Sequence, residues 1–423
     1  MTPQRLVAHA LADAFLAGPA TVEGFTERAV LSLGRKSQWI PSLCRKVFVR
    51  FGSGLAHGQR TKLIQFIQAD PDYCNAWAAS RKPRIQHRFL DPPRMTPRPG
   101  ALARCALPEL QTPGDLATWL EIAPSQLDWY ADPCGMIDTV DSPLCHYHYR
   151  WIQKRRGAFR LLEIPKPRLR EIQRKILREI LNPIPLHKAA HGFRRGRSCR
   201  SYVEPHIGKL VLLRMDLLNF FMSIPARRIN ALFKTLGYPE AVARLLTGLC
   251  TNRVPKSVMR QIPDADSSGR FSRLEQAQYR APHLPQGAPT SPALANLCAL
   301  HLDCRLSTLA DSLGGAYTRY ADDLAFSGDE EMRRRVERLS AQVGAIALEE
   351  GFEANYRKTR IMHCSDRQRL TGIVVNERMN ISRREYDELK AILHNCARFG
   401  PESQNRMGRR DFRGYLEGRV GYV

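Results

Sequence analysis

The chain has 423 residues, with 65 Lys/Arg against 41 Asp/Glu, a formal net charge of +24 at pH 7. Its 43% hydrophobic and 25% charged residues are ordinary for a folded protein and exclude a collagen, a disordered chain or a disulfide mini-scaffold. A positive surplus of this size points to a polyanionic partner, either nucleic acid or an acidic membrane surface.

From the N-terminus, the four-residue spacing of Val7, Leu11 and Phe15 predicts a helix. His9 and Asp13 interrupt the same stretch and speak against a signal segment. Trp39, Leu43 and Val47 repeat that spacing, and Leu63 to Ile67 form another short apolar face. Seven prolines between Pro83 and Pro113 predict an irregular linker. Thr112-Pro-Gly-Asp then opens a helix carrying Leu116, Trp119 and Leu120.

Further on, Arg170 to Leu181 reads as a basic amphipathic helix ending before Pro183. Val211 to Met215 is an apolar run of strand length. Tyr317 to Ser327 reads as two strands joined by a tight turn at Ala321-Asp322-Asp323. No run of about 18 apolar residues exists, so no membrane span is expected. The eleven cysteines form no C-x-x-C pair, which fits free thiols in a reducing cytoplasm. Cys134, Cys145, His146 and His148 invite a zinc reading, but their spacing matches no common zinc module.

Charge is unevenly spread. Residues 151–200 hold fifteen Lys/Arg and three Asp/Glu, half of the net charge in fifty residues, whereas residues 301–350 hold six and ten. A basic track near an acidic centre is what a metal-dependent nucleic-acid enzyme needs, although a solvated helix face reads the same way.

The sharpest local feature is Tyr320-Ala321-Asp322-Asp323. Adjacent carboxylates between apolar strands repel one another and resist desolvation, and a divalent cation with hard oxygen ligands removes that cost. An exposed hairpin turn is the plain alternative. A third carboxylate, Asp216, ends the apolar strand Val211-Leu-Leu-Arg-Met and precedes Leu217-Leu-Asn-Phe220-Phe221. If the two strands pair, three carboxylates converge in a pattern suited to two metal ions and phosphoryl transfer. The alternative for Asp216 is an N-cap of a following helix.

These motifs resemble those of the reverse transcriptases. Tyr-Ala-Asp-Asp, with Asp-x-x-x-Phe-Phe about a hundred residues earlier, is similar to the palm of that family. Leu284-Pro-Gln-Gly-Ala-Pro-Thr-Ser-Pro292 is similar to its nucleotide-contacting segment. His191-Gly-Phe-Arg-Arg-Gly-Arg-Ser198 resembles its fingers motif. Gly351 to Thr359 and Leu370 to Asn376 resemble the later palm motif and the strand pair before the thumb. The order is the family's, from about residue 114 to 423. Arg319-Tyr-Ala-Asp-Asp-Leu-Ala-Phe-Ser-Gly328 most resembles retron-type bacterial enzymes. His206, Thr371 and Gly372 agree with retron elements, whereas Tyr202, Val203 and Leu370 depart, so a neighbouring bacterial defence lineage stays open.

The resemblance implies an α+β right-hand polymerase, with a helical N-terminal extension over residues 1–82 and a proline-rich linker over 83–113. Fingers and palm would occupy 114–376, and a helical thumb 377–423. It implies two Mg²⁺ ions on Asp216, Asp322, Asp323 and the Leu217 carbonyl. Phe221 would gate against a ribose 2′-OH, with core packing as its alternative. Gln286 and Gly287 would line the nucleotide pocket. Arg160, and Lys154 beside it, would meet the triphosphate, and Lys358 would donate a proton to the leaving pyrophosphate. Lys166, Arg168, Arg170, Arg174, Arg194 and Arg197 would track the template backbone.

The partners implied are dNTPs, a structured noncoding RNA and its cDNA product, with an effector or toxin protein as a further candidate. The expected setting is cytoplasmic antiphage defence with no membrane association. The basic N-terminus and the segment after Ser382 are the candidates for choosing the RNA. The competing readings are a template-independent or intron-mobility reverse transcriptase, and an RNA-binding protein with a degenerate palm. The intact carboxylates, Gln286 and Arg160 argue against the last of these.

Overall fold

The computed structural model describes residues 2–52, 55, 59–79, 82–89, 95–133, 135–136, 145–153, 159–261 and 273–422. The chain divides into two compact units, residues 1–93 and 94–423.

The first unit is helical: α1 (Pro3–Leu16), α2 (Val22–Leu33), α3 (Trp39–Phe51), α4 (Arg60–Ala69) and α5 (Pro71–Ala78). Thr2 starts α1 by accepting a hydrogen bond from the Arg5 N–H, with Pro3 in the first turn. The predicted stripe of Val7, Leu11 and Phe15 is buried against Phe25, Leu43, Val47, Leu63 and Ile67.

The second unit mixes helices with antiparallel sheets, an α+β arrangement. Part of the proline-rich stretch belongs to it, because Leu107 and Leu110 are buried in its main core. Thr112 and Asp115 form the reciprocal cap that opens α6 (Pro113–Leu120), and α7 (Pro124–Ala131) follows. Strands β1 (Tyr147–Gln153) and β2 (Phe159–Pro165) form an antiparallel hairpin. The predicted basic helix starts earlier than Arg170. It runs as α8 (Pro167–Ile176), continues through one π-helical turn to Leu181, and is followed by α9 (Cys199–Val203).

Four strands make the central sheet: β3 (Val211–Asp216), β4 (Ala316–Tyr320), β5 (Asp323–Gly328) and β6 (Arg360–His363), in the order β4-β5-β3-β6. Side chains alternate across the pleat. Val211, Leu213 and Met215 therefore face the main core with Leu324 and Phe326. Leu212 and Ala325 face a smaller cluster with Tyr202, Val203, Leu370 and Val375. Arg214, Asp216 and Asp323 fall on that second side.

The main core is completed by α10 (Ala226–Thr235), α11 (Glu240–Cys250), α14 (Ser291–Cys298), α15 (Leu300–Asp311) and α16 (Glu330–Glu349). Short helices α12 (Lys256–Arg260) and α13 (Arg273–Arg280) lie between α11 and α14 in the chain. The strand pair β7 (Arg369–Leu370) and β8 (Ile373–Val374) precedes α17 (Arg383–Phe399) and α18 (Phe412–Tyr422). Ser382 and Glu385 cap α17 reciprocally. Among the described residues, no helix is long and apolar enough to cross a membrane.

Candidate active site

Register brings the carboxylates together. Asp216 lies directly opposite Asp323 in the β3–β5 ladder. The two-residue turn Ala321-Asp322 joins β4 to β5, and its peptide is tied across to β3 by the Leu217 N–H, which donates to the Asp322 carbonyl at 2.9 Å. No helix follows Asp216, so it caps none.

Asp216, Leu217, Phe221, Asp322, Arg160, Gln286 and Lys358 line one cavity of about 290 Å³. Its wall also includes Phe193, Asn219, Tyr279 and Asn355. Three of the lining residues, Phe193, Asn219 and Ala321, have φ of 58°, 50° and 56°. Non-glycine residues in this left-handed region carry backbone strain that their surroundings must hold, and such strain gathers at functional sites.

Like charges placed opposite each other in a ladder destabilise it, and each of these carboxylates meets the problem differently. Asp216 is buried. It receives Lys358 Nζ on both oxygens, at 2.9 and 2.8 Å, and Asn355 Nδ2 at 3.3 Å. Asp323 is turned to Arg214, whose Nε and Nη2 donate to one of its oxygens at 3.1 and 2.8 Å. Asp322 has no ion pair of its own among the described residues. Burial first, then the charges of Asp216 and Asp323, push its carboxyl above the ordinary aspartate value.

The expected convergence of three carboxylates is thus met differently. Asp216 and Asp322 share the cavity, whereas Asp323 stands beside it, held by Arg214. Among the described residues, no group of three or more His, Cys, Asp or Glu is gathered as a metal cage. Two hard-oxygen donors, one of them uncompensated, nonetheless fit a divalent cation that keeps positions open for phosphate oxygens.

The opposite wall comes from the hairpin and the segment after α13. Arg160 is exposed on β2. The Glu163 N–H donates to the Gln286 carbonyl at 2.9 Å, fastening β2 to this segment. Gly287, at φ 134°, is required there, because a Cβ would lie 2.8 Å from the Glu163 carbonyl oxygen. Phe221 is half-buried, packed between Phe220 and Phe193 with ring centroids at 5.6 and 6.2 Å.

The basic candidates separate by what they touch. Arg194 Nη1 donates to the His187 carbonyl at 3.0 Å and so clasps its own loop. Arg170 donates to the Pro165 carbonyl, and Arg168 pairs with Glu171. Arg174 and Arg197 are exposed, and Lys166 is half-buried. Lys154 lies outside the described residues, as does Cys134 of the zinc reading. His146 of that reading faces the Trp129 carbonyl at 2.9 Å.

Sequence reasoning missed a buried support beneath the Ala321 turn. Arg319, fully buried, donates Nε and Nη2 to the two oxygens of Asp303 at 2.7 Å each. Its Nη1 donates to the Asn296 Oδ1 and to the Ala321 carbonyl. Asn296 in turn donates to the Gly192 carbonyl at 2.9 Å. Gly192 sits so close that a Cβ would come within 2.6 Å of the Ala321 nitrogen. The Gly and the Arg were visible inside their motifs, but the partner Asp303 carried no local signal.

Comparison with known proteins gives the family. The family described as reverse transcriptase (RNA-dependent DNA polymerase) matches residues 152–390, more than half of the chain. The retron Mx65 reverse transcriptase of Myxococcus xanthus is 37% identical over 333 residues, 78% of this chain and 71% of that protein. The retron Mx162 reverse transcriptase of the same organism is 37% identical over 303 residues, 68% of this chain and 59% of that protein. The retron Ec86 reverse transcriptase of Escherichia coli is 31% identical over 251 residues, 59% of this chain and 69% of that protein. The chain therefore belongs to the reverse transcriptases, of the retron type, and is an RNA-directed DNA polymerase.

Proposed function

We propose that this chain copies a partner noncoding RNA into cDNA, and that the cavity between the central sheet and the β1–β2 hairpin is its nucleotide site. The observation that carries this reading is the convergence of Asp216 and Asp322 with Arg160, Gln286 and Phe221 on one cavity. In this reading β1–β2 and the His191 to Ser198 loop are fingers, the four-stranded sheet is the palm, and α17 and α18 are thumb.

Two Mg²⁺ ions would be held by Asp216, Asp322, Asp323 and the Leu217 carbonyl, and when bound they supply positive charge to the reacting phosphates. The protein's own groups do the rest. Arg160 offers a planar fork to the triphosphate. Gln286 and the Gly287 backbone support the nucleotide, and the Phe221 ring crowds the position of a 2′-OH. Lys358 compensates Asp216 in the free chain and is the proton donor for departing pyrophosphate. Arg174, Arg197 and Lys166, with Arg168 and Arg170, face the template, whereas Arg194, expected beside them, holds its own loop. The helices of residues 1–82 and the segment after Ser382 select the RNA, and the setting is antiphage defence, with an effector protein as a further partner. Sequencing the nucleic acid that co-purifies with the chain tests the partner. One structured RNA joined to its own DNA copy is expected, and an unselected mixture of cellular RNA contradicts the assignment.

A further inference from the structure

Behind the cavity wall lies a cluster of buried polar groups that the proposed chemistry does not use. Glu163 and His283 are essentially inaccessible, at 0% and 1% side-chain exposure. His283 Nε2 lies 3.0 Å from Glu163 Oε1, and Asn252 Nδ2 donates to Glu163 Oε2 at 2.7 Å. The Asn252 amide also lies 3.0 Å from the Tyr149 hydroxyl. On its other side, His283 Nδ1 lies 2.7 Å from the Ala281 carbonyl. A carbonyl and a carboxylate only accept, so both ring nitrogens are donors and His283 is an imidazolium. Burial opposes that charge, but Glu163 and the hydrogen bonds outweigh it and hold the imidazole above its ordinary pKa.

The position of this cluster gives it a meaning. Glu163 is on β2, three residues from Arg160, and its own N–H holds the Gln286 carbonyl. His283 is three residues before Gln286, and its N–H and carbonyl exchange hydrogen bonds of 3.0 Å with Asn252. Tyr279, which lines the cavity, packs edge-on to His283 at 5.8 Å. The two chain segments that form the far wall are thus joined by one charged pair whose every donor and acceptor is used. A buried ion pair gives little net stability over packed apolar groups, and its distinctive effect is to fix direction and distance.

We propose that Glu163, His283 and Asn252 form a positioning latch that fixes the strand bearing Arg160 against the segment bearing Gln286, and thereby sets affinity for the incoming nucleotide without touching it. The proposal rests on the reading of the cavity as the nucleotide site.

The test uses the full chain with a poly(rA) template, an oligo(dT) primer and dTTP, and compares Glu163→Gln, His283→Gln and the double variant. Weakening a charge-assisted contact to the triphosphate raises KM for dTTP about ten-fold or more. Expected are that rise, kcat within about two-fold, unchanged template affinity, and a double variant no worse than either single one. Unchanged KM, a fall confined to kcat, or strictly additive effects would overturn the latch.

Asn252→Ala, which leaves the two charges paired, is read the same way if Glu163→Gln melts below the assay temperature. A rise in KM without loss of kcat supports the latch, and an unchanged KM overturns it. Arg160→Ala separates the two claims. If it leaves KM unchanged, the nucleotide-site reading fails; if it raises KM while Glu163→Gln does not, only the latch fails.

Discussion

Asp322 is the residue on which the electrostatics of the site turn. Its carboxyl is raised by burial and by two neighbouring carboxylates, so the folded chain binds its proton more tightly than the unfolded chain does. Stability contributed by that proton is present below the ordinary aspartate pKa and is lost as pH rises through the raised value. Asp322→Asn should therefore leave the metal-free protein at least as stable as the wild type near neutral pH. Mg²⁺ bound at the proposed site should raise the melting temperature of the wild type, and the variant should lose that rise. A variant that keeps the Mg²⁺-dependent shift would remove Asp322 from the metal site.

Phe221 gives a second test at this scale. If Phe221 gates the proposed nucleotide site, replacing it with Val should raise the ratio of kcat/KM for UTP against dTTP by about 10- to 100-fold. An unchanged ratio would return Phe221 to a packing role.

Among the elements, the β4–β5 hairpin depends on what lies under it. Arg319 and Asp303 are both fully buried and satisfy each other. Arg319→Met leaves Asp303 uncompensated, and should cost about 3–5 kcal/mol of unfolding free energy. Urea unfolding measures it, and a loss below about 1 kcal/mol would contradict the support role.

The same strands are joined to the turn after α9 through His206. Thr318 gives its hydroxyl proton to the Tyr202 carbonyl, so its oxygen accepts from His206 Nε2, and Ser327 Oγ donates to Nδ1. Burial, with a small effect of His191, lowers this imidazole to about 3. The unfolded chain takes up the proton first as pH falls below about 6.5. The stability held by neutral His206 is therefore lost between about 6.5 and 3, by at most ~1.4 kcal/mol per pH unit. His206→Gln should flatten that slope in urea unfolding followed across pH. An unchanged slope would place the acid sensitivity elsewhere.

The strands and the turn were legible because each is a local pattern: an apolar run ending in Asp216, and alternation broken by Ala321-Asp322. The split between Asp322 in the cavity and Asp323 on Arg214 was not legible. It depends on Arg214, which takes Asp323 from across the ladder, while Asp322 sits in the turn before β5. The Glu163–His283 pair was hidden for a related reason, since its partners are 120 positions apart and neither sits in a periodic pattern.

For the whole molecule the relevant quantity is the distribution of +24 charges. Composition located the basic track but could not say which cations are committed within the fold. Arg194 serves its own loop, while Arg174 and Arg197 are exposed. Arg174→Gln and Arg197→Gln should therefore each lower the slope of log affinity for RNA against log salt by roughly 0.7–0.9. Arg194→Gln should act through stability instead. Binding titrations at several salt concentrations distinguish these outcomes, and equal slopes for all three variants would contradict the division.

The central claim is that Asp216 and Asp322 form the catalytic centre of an RNA-copying enzyme. Single-nucleotide extension of an oligo(dT) primer on poly(rA) by the purified chain in Mg²⁺ tests it most directly, beside Asp216→Asn and Asp322→Asn variants of unchanged melting temperature. The wild type should extend the primer and both variants should fall by several orders of magnitude. Extension by either folded variant at a rate near that of the wild type would contradict the account.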